Sequence, residues 1–364
     1  MAMDDDIRKG IVEVVGLDLG DKRSQLCVLD RDCGEVLEEG TVPTTREALE
    51  RRFSTVRPMR IALEAGTHSP WVSQLLEGLG HDVIVANPRR LRLIYTNRRK
   101  NDRVDARYLA QVARLDPRLL APIRHRGEEA RAALALLRSR DVLVRTRTKL
   151  INHVRGMVKS VGGRLPGCSA GAFGTKKMAD ELPALVKEAL LPVLEVIDDL
   201  SGKIRAYDRR IERLAEESPV AGHLMAIRGV GPLTALAFVL TLEDPDRFPK
   251  SRSVGAYLGL APGSDQSGDA NPQKRITKEG DAFVRRLLIN SAHYILGPFG
   301  EDCDLRRYGL KIAARGGKNA KKRAAVAVAR KLAVVMHCLW VTGEVYDPLY
   351  NTRRSTATKT VTEA

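Results

Sequence analysis

Between residues 11 and 115 the chain alternates short apolar runs with helical patterns in an order that few architectures accommodate. Residues 11–20 (IVEVVGLDLG) predict a mostly apolar central strand, and 25–29 and 35–42 follow at hairpin distance as its antiparallel partners. Thr44 and Thr45 offer N-caps for a helix through Arg52. Residues 59–65 form another apolar strand. Ser69-Pro70 opens a helix that ends at Gly78 or Gly80, because proline suits the first helical turn and glycine the exit. A short buried strand at 82–86 precedes a basic stretch after Pro88, which leads into a helix running through Leu115. The order β-β-β-α-β-α-β-α predicts a mixed α/β domain over residues 9–125. It is the order of an RNase H-like domain, with other α/β folds left open by periodicity alone.

Four acids stand out within that frame. Asp102 and Asp105, in KNDRVDA at the head of the last helix, are spaced i, i+3 and so share one helix face. Like charges held together need a reason, and a divalent cation that prefers oxygen ligands, such as Mg²⁺, is one. Asp18 sits in a strand that is otherwise largely apolar, where an unpartnered carboxylate is expensive. Glu64 ends the Ile61-Ala62-Leu63 strand, near the end of the Asp18 strand. Taken together they predict a four-carboxylate Mg²⁺ site (Asp18, Glu64, Asp102, Asp105) for phosphoryl transfer, in which two metal ions about 4 Å apart stabilise the attacking and leaving oxygens. Taken singly, Glu64 also fits a surface acid at a strand end. Asp18-Leu19-Gly20 also fits a turn, or the phosphate loop of actin-like and sugar-kinase ATPases, whose second phosphate loop and adenosine motif the sequence lacks. His68 and His81 lie nearby, and a lone histidine in such a setting is more often structural.

The rest of the chain is helical in pattern. Residues 128–159 are almost free of glycine and proline, with Leu134, Leu137, Val142, Leu150, Ile151 and Val154 at helical spacing among many arginines. After a glycine-rich break at 162–174, a second long helix is predicted over 180–217, with a kink at Pro192. The two predict an antiparallel arm over 126–218. Its basic residues suit nucleic acid, and a dimerisation coiled coil with a solvated charged face accounts for the same pattern. A mainly helical domain follows over 219–349. In it, LMAIRGVGPLTA (224–235) resembles a helix-hairpin-helix, with Gly229 and Gly231 at the turn and a helix start able to receive phosphate; an ordinary αα-corner is the plainer account. Next come a polar loop at 263–275, a basic helix at 278–293 and a basic cluster at 318–323 before a helix through Trp340. A polar tail, 350–364, is expected to be disordered.

Composition narrows the partners. The 364 residues carry a formal net charge of +16, while only 4% are aromatic. That balance favours the phosphate backbone of nucleic acid over base stacking. Five cysteines, with no CxxC pair, argue against a zinc site or a disulfide framework and fit a reducing cytosol. The acidic-then-basic N-terminus lacks the apolar core of a signal peptide, and no segment is expected to approach the apolar length of a membrane span.

Short motifs then carry a resemblance. GLD (16–18), LEA (63–65), NDRVDA (101–106) and Leu109-Ala110, followed by GAYLGLAP (255–262), QSG (266–268), RITKEGD (275–281) and RRLL (285–288), resemble the DEDD-type transposases of bacterial insertion sequences, the one-ten family, together with Piv-type DNA invertases. The likeness spans nearly the whole chain. It implies a RuvC-like N-terminal domain and a C-terminal transposase domain bearing a serine nucleophile. Ser267 is the matching position. Gln266 replaces the first of two serines in the family pattern, which leaves Ser264 as a lesser candidate. The resemblance further implies strand exchange between donor and target double-stranded DNA through a transient phosphoserine, guidance by an element-encoded bridge RNA, and dimers that pair into tetramers. The protein is expected in the bacterial cytoplasm, associated with the nucleoid. Arg99, Lys100, Gly229, Gly231, Arg275, Lys278 and Arg285 are the candidate nucleic-acid contacts. The competing readings are a Holliday-junction resolvase-like nuclease, which needs the carboxylates but not Ser267, and a non-catalytic nucleic-acid-binding regulator.

Overall fold

The computed structural model describes residues 10–91, 102–263 and 274–353. The chain divides into two compact units at Arg126/Gly127. The first contains β1 (Glu13–Asp18), β2 (Arg23–Asp30), β3 (Val36–Pro43), α1 (Arg46–Phe53), β4 (Arg60–Glu64), α2 (Ser69–Gly78), β5 (Asp82–Ala86), the single turn α3 (Pro88–Leu91) and α4 (Asp102–Leu115). Its five-stranded sheet has the order β3-β2-β1-β4-β5. β1–β2 and β2–β3 are antiparallel, whereas β1–β4 and β4–β5 are parallel. Side chains alternate across a strand, so the central strands β1 and β4 feed two cores. Val15, Leu17, Ile61 and Leu63 pack with Leu49 and Phe53 of α1 and Val72 and Leu76 of α2. On the opposite face Val14, Ala62, Ile84 and Ala86 pack with Leu109, Val112 and Ala113 of α4.

Local chemistry sets the boundaries. Thr45, not Thr44, caps α1: its side chain accepts from Ala48 N at 3.3 Å. Thr44 is buried and spends its hydroxyl on Ser24 Oγ (2.8 Å) and Gly20 O (2.9 Å).

The second unit is helical: α5 (Glu128–Ser160), α6 (Thr175–Met178), α7 (Ala184–Glu216), α8 (Pro219–Leu224), α9 (Pro232–Leu242), α10 (Arg252–Tyr257), α11 (Ala282–Leu296), α12 (Asp304–Ala313) and α13 (Ala320–Thr342). α5 and α7 pair antiparallel. Arg140 Nε meets Asp208 Oδ1 at 2.7 Å and Arg147 Nη1 meets Ser201 Oγ at 3.1 Å, so partner numbers fall as α5 rises. α7 starts four residues later than the hydrophobic pattern suggests, because Pro183 disfavours helical backbone in the residue before it. It then runs as one helix through Pro192. The glycine-rich connection is no open break: Leu165, Phe173, Met178 and Leu182 are buried with Val154, Leu190 and Leu194.

Leu137, Ile211 and Ala215 enter the core formed by Leu224, Phe238, Leu288, Leu332 and Met336. By length and composition α13 is apolar enough to cross a bilayer, contrary to the sequence expectation. Six of its residues are instead buried in this core, and His337, also buried, bonds through its ring to Ser251 Oγ and Pro245 O at 3.0 Å. The basic helix expected from Lys278 begins only at Ala282. Lys278 (φ +57°) and Gly280 (φ +80°) turn the chain, and Asp281 caps α11 by accepting from Phe283 N and Val284 N. Disorder does not set in at Tyr350 either. Asp304 accepts from Asn351 N (2.6 Å) and Thr352 Oγ1 (2.6 Å), which ties residues 351 and 352 to the start of α12. The tail from 354 onward lies outside the described residues.

Candidate active site

The site begins with a missing side chain. β1 presents Val14, Gly16 and Asp18 to α4, and a Cβ at Gly16 would lie 1.9 Å from Ala106 O and 2.6 Å from Ala110 N. Only glycine lets the helix backbone settle on the strand. Small partners complete the fit: Ala106 and Ala110 are buried with Cys27 and Leu29 of β2. Burial pushes the Cys27 thiol up from its usual range. With α4 seated, its first turn comes to the end of β1. Asp18, Asp102 and Asp105 each offer a carboxylate oxygen, and these oxygens lie within 4.8 Å of one another. Asp102 is exposed; the other two are half-buried.

Glu64 reaches the same side from the neighbouring strand. Leu17 pairs with Leu63 in the parallel β1–β4 ladder, so Asp18 and Glu64 end adjacent strands. Glu64 shares a face with Ala62, which packs under α4. It is not one of the three acids that converge within 4.8 Å. Neither histidine joins the group. His81 is buried, with Nδ1 accepting from Met59 N (3.2 Å) and Nε2 donating to Phe53 O (3.0 Å). His68 Nδ1 accepts from Trp71 Nε1, and its Nε2 lies 3.7 Å from Asp21.

Glu39 is a site residue that sequence reasoning missed. This β3 acid, with a side chain only 10% exposed, binds two arginines of α4. Arg103 bonds Oε2 through Nε (2.6 Å) and Nη2, while Arg107 bonds Oε1 through Nε (2.8 Å) and Nη2 (2.6 Å). The Arg103 hydrogen bond, reinforced by Arg107, holds the Glu39 carboxyl below the usual carboxylate range. At the far end of α4, Arg114 Nη1 donates to Arg31 O (3.2 Å) and Asp32 O (3.3 Å).

The other candidates are scattered. Arg99, Lys100, Ser264 and Ser267 lie outside the described residues. The chain on either side of the serine segment is paired, Gly263 N to Arg275 O at 3.0 Å and Thr277 N to Ala261 O at 3.0 Å. Arg275 and Lys278 are exposed. Arg285 is partly committed to the fold, because Nη1 donates to Leu258 O and Glu279 O, both at 2.9 Å. Gly229 (φ +93°) makes the turn between α8 and α9 and lies against α11, where a Cβ would sit 2.9 Å from the Tyr294 ring. Gly231 is the N-cap of α9 and Pro232 its first residue.

An α/β unit with acids gathered at a strand end and a helix start, followed by a helical unit in a strongly basic chain, suits an enzyme that acts on the phosphates of nucleic acid. The chain belongs to the IS110 family of insertion-sequence transposases: the DEDD-type IS110 transposase profile matches residues 15–162, and that of the transposase IS116/IS110/IS902 family matches residues 221–299. Among its relatives, the transposase for insertion sequence element IS1111A of Coxiella burnetii is 29% identical, over 92% of this chain and 91% of the relative. A probable family 20 transposase of Pseudomonas aeruginosa is also 29% identical, over 92% and 98%. The pilin gene-inverting protein of Moraxella bovis is 26% identical over 144 residues, 38% of this chain and 44% of the relative.

Proposed function

We propose that this transposase recombines DNA at a Mg²⁺ site held by Asp18, Glu64, Asp102 and Asp105 of an RNase H-like domain, with Ser267 as the nucleophile. The observation that carries this reading is the convergence of Asp18, Asp102 and Asp105 oxygens within 4.8 Å on a strand end and a helix start. The donor set fits the ion: three carboxylates on rigid elements are hard oxygen ligands, and no cysteine or histidine belongs to the group. The sheet order 3-2-1-4-5 supports the RNase H-like assignment. When bound, the divalent ion supplies charge stabilisation at the phosphate. The protein's own contribution is to hold the carboxylates in place before substrate arrives, so that little reorganisation is needed.

In this scheme the Ser267 hydroxyl attacks a DNA phosphate. An Oγ–P bond forms, one P–O bond of the strand breaks, and the released sugar oxygen takes up a proton. Reversal by a strand from the partner DNA restores the serine and completes the exchange. Arg99, Lys100, Arg275, Lys278 and Arg285, with the Gly229–Gly231 turn, are proposed to contact backbone phosphates, and the arm at 126–218 to hold a bridge RNA in a dimer or tetramer. The transposase domain would span 219–349.

Recombination between donor and target plasmids tests the scheme. D102N and D105N are expected to abolish it, while S267A abolishes both it and a covalent DNA–protein adduct. Cutting that persists in S267A would mean a resolvase-like nuclease. Recombination undiminished in D102N would mean a regulator on an inactive core.

A further inference from the structure

We propose that Glu39 is a positioning residue for the carboxylate site: by holding Arg103 and Arg107 on the β3 side of α4, it fixes the rotation of that helix so that Asp102 and Asp105 face Asp18. The inference rests on the metal-site reading above and extends it to a residue outside the acid cluster.

The argument follows from helix geometry. At about 100° per residue, Ala106, Leu109, Ala110 and Ala113 form the buried stripe of α4. Asp102 continues that stripe at the start of the helix and Asp105 lies toward one edge of it, while Arg103 and Arg107 flank the opposite edge. The sheet beneath has matching sides, with Asp18 and Glu64 on β1 and β4 and Glu39 on β3, two strands from β1. Leu109 and Val112 wedge the later turns of the helix and Arg114 holds its far end, whereas its first turns, seated on small residues over Gly16, have close contact but little to resist rolling. The small apolar stripe sets its height, and a polar tether at the edge sets its azimuth. Glu39 supplies that tether with both oxygens, each taken by a different guanidinium. Its carboxylate is nearly enclosed, so it needs these partners. The two arginines, one turn apart, would otherwise repel and be free to swing toward the acids at the head of the same helix.

The test is Mn²⁺ binding to the full-length protein, followed by electron paramagnetic resonance without DNA, with D102N as the control. E39Q keeps the side chain's shape and removes its charge; it is expected to lower Mn²⁺ affinity about 10- to 100-fold, the range seen when a group that orients metal ligands is removed, with a cooperative melt retained. The double variant R103Q/R107Q separates positioning from simple electrostatics. It removes two positive charges near the site, so electrostatics alone raises Mn²⁺ affinity, whereas loss of the clamp lowers it. A fall in both variants supports the proposal. Unchanged affinity in E39Q, or a gain in the double variant, overturns it, and the double variant decides alone should E39Q not fold. D102N binding Mn²⁺ like the wild type would instead sink the metal site itself, and the clamp with it.

Discussion

A single methyl group tests how the acids are brought together. Gly16→Ala places a Cβ against the Ala106 carbonyl and the Ala110 amide, both backbone atoms of α4 that cannot rotate away. The helix must lift or slide, at a cost of at least about 1–3 kcal/mol typical of overpacking. Urea unfolding should show that loss, and Mn²⁺ affinity should fall with it. A G16A variant as stable as the wild type would mean that α4 does not depend on this contact. Asp18, Glu64, Asp102 and Asp105 were legible as candidates because a carboxylate in an apolar strand, or two at i, i+3, is chemically conspicuous. Glu39 was not. It sits in a charged pair, Glu38-Glu39, on a mostly exposed strand, and only the register with β2 and the seating of α4 turn it inward to two arginines.

Among the elements, helix ends are where sequence and structure part most. The run of basic residues from Lys278 suggests a helix starting there, yet Gly280 and the Asp281 cap delay it by four residues. Asp281 also pairs with Arg138 at 2.8 Å. Removing it by D281A should therefore cost about 1–2 kcal/mol, a cap loss at the upper end of its range, read as a lower melting temperature. The end of the chain offers a pH prediction. Burial pushes the Asp304 carboxyl up, but hydrogen bonds from Thr352 and Asn351 outweigh it and leave the group below its usual range. A carboxyl depressed on folding stabilises the native state above its unfolded pKa, about 3.9 for aspartate, and loses that contribution as pH falls through the lower native value. The melting-temperature gap between wild type and D304N should thus be widest near neutrality and close in acid. A gap independent of pH would show that the tether at residues 351 and 352 does not rely on the ionised group.

For the molecule as a whole, charge and element order were the readable quantities. Three antiparallel strands followed by alternating helices and strands predicted the mixed sheet because each connection length restricts which neighbours can pair. What pattern alone could not reveal was commitment: which of many basic residues serve the fold and which are available to phosphate. Arg285 and Arg275 look alike in sequence, ten residues apart in one basic segment. Arg285 braces Leu258 O and Glu279 O, whereas Arg275 is exposed. The two should separate in a salt titration of DNA binding. With a net charge of +16, the protein should lose affinity steeply as salt rises, because bound phosphates release counterions. R275Q removes one phosphate partner, so the slope of log affinity against log salt should fall by about one with the melting temperature unchanged. R285Q removes a brace, so its melting temperature should fall, whatever happens to the slope. If R275Q leaves the slope untouched, the exposed segment beside the serine loop does not contact DNA, and the basic surface that does so lies elsewhere.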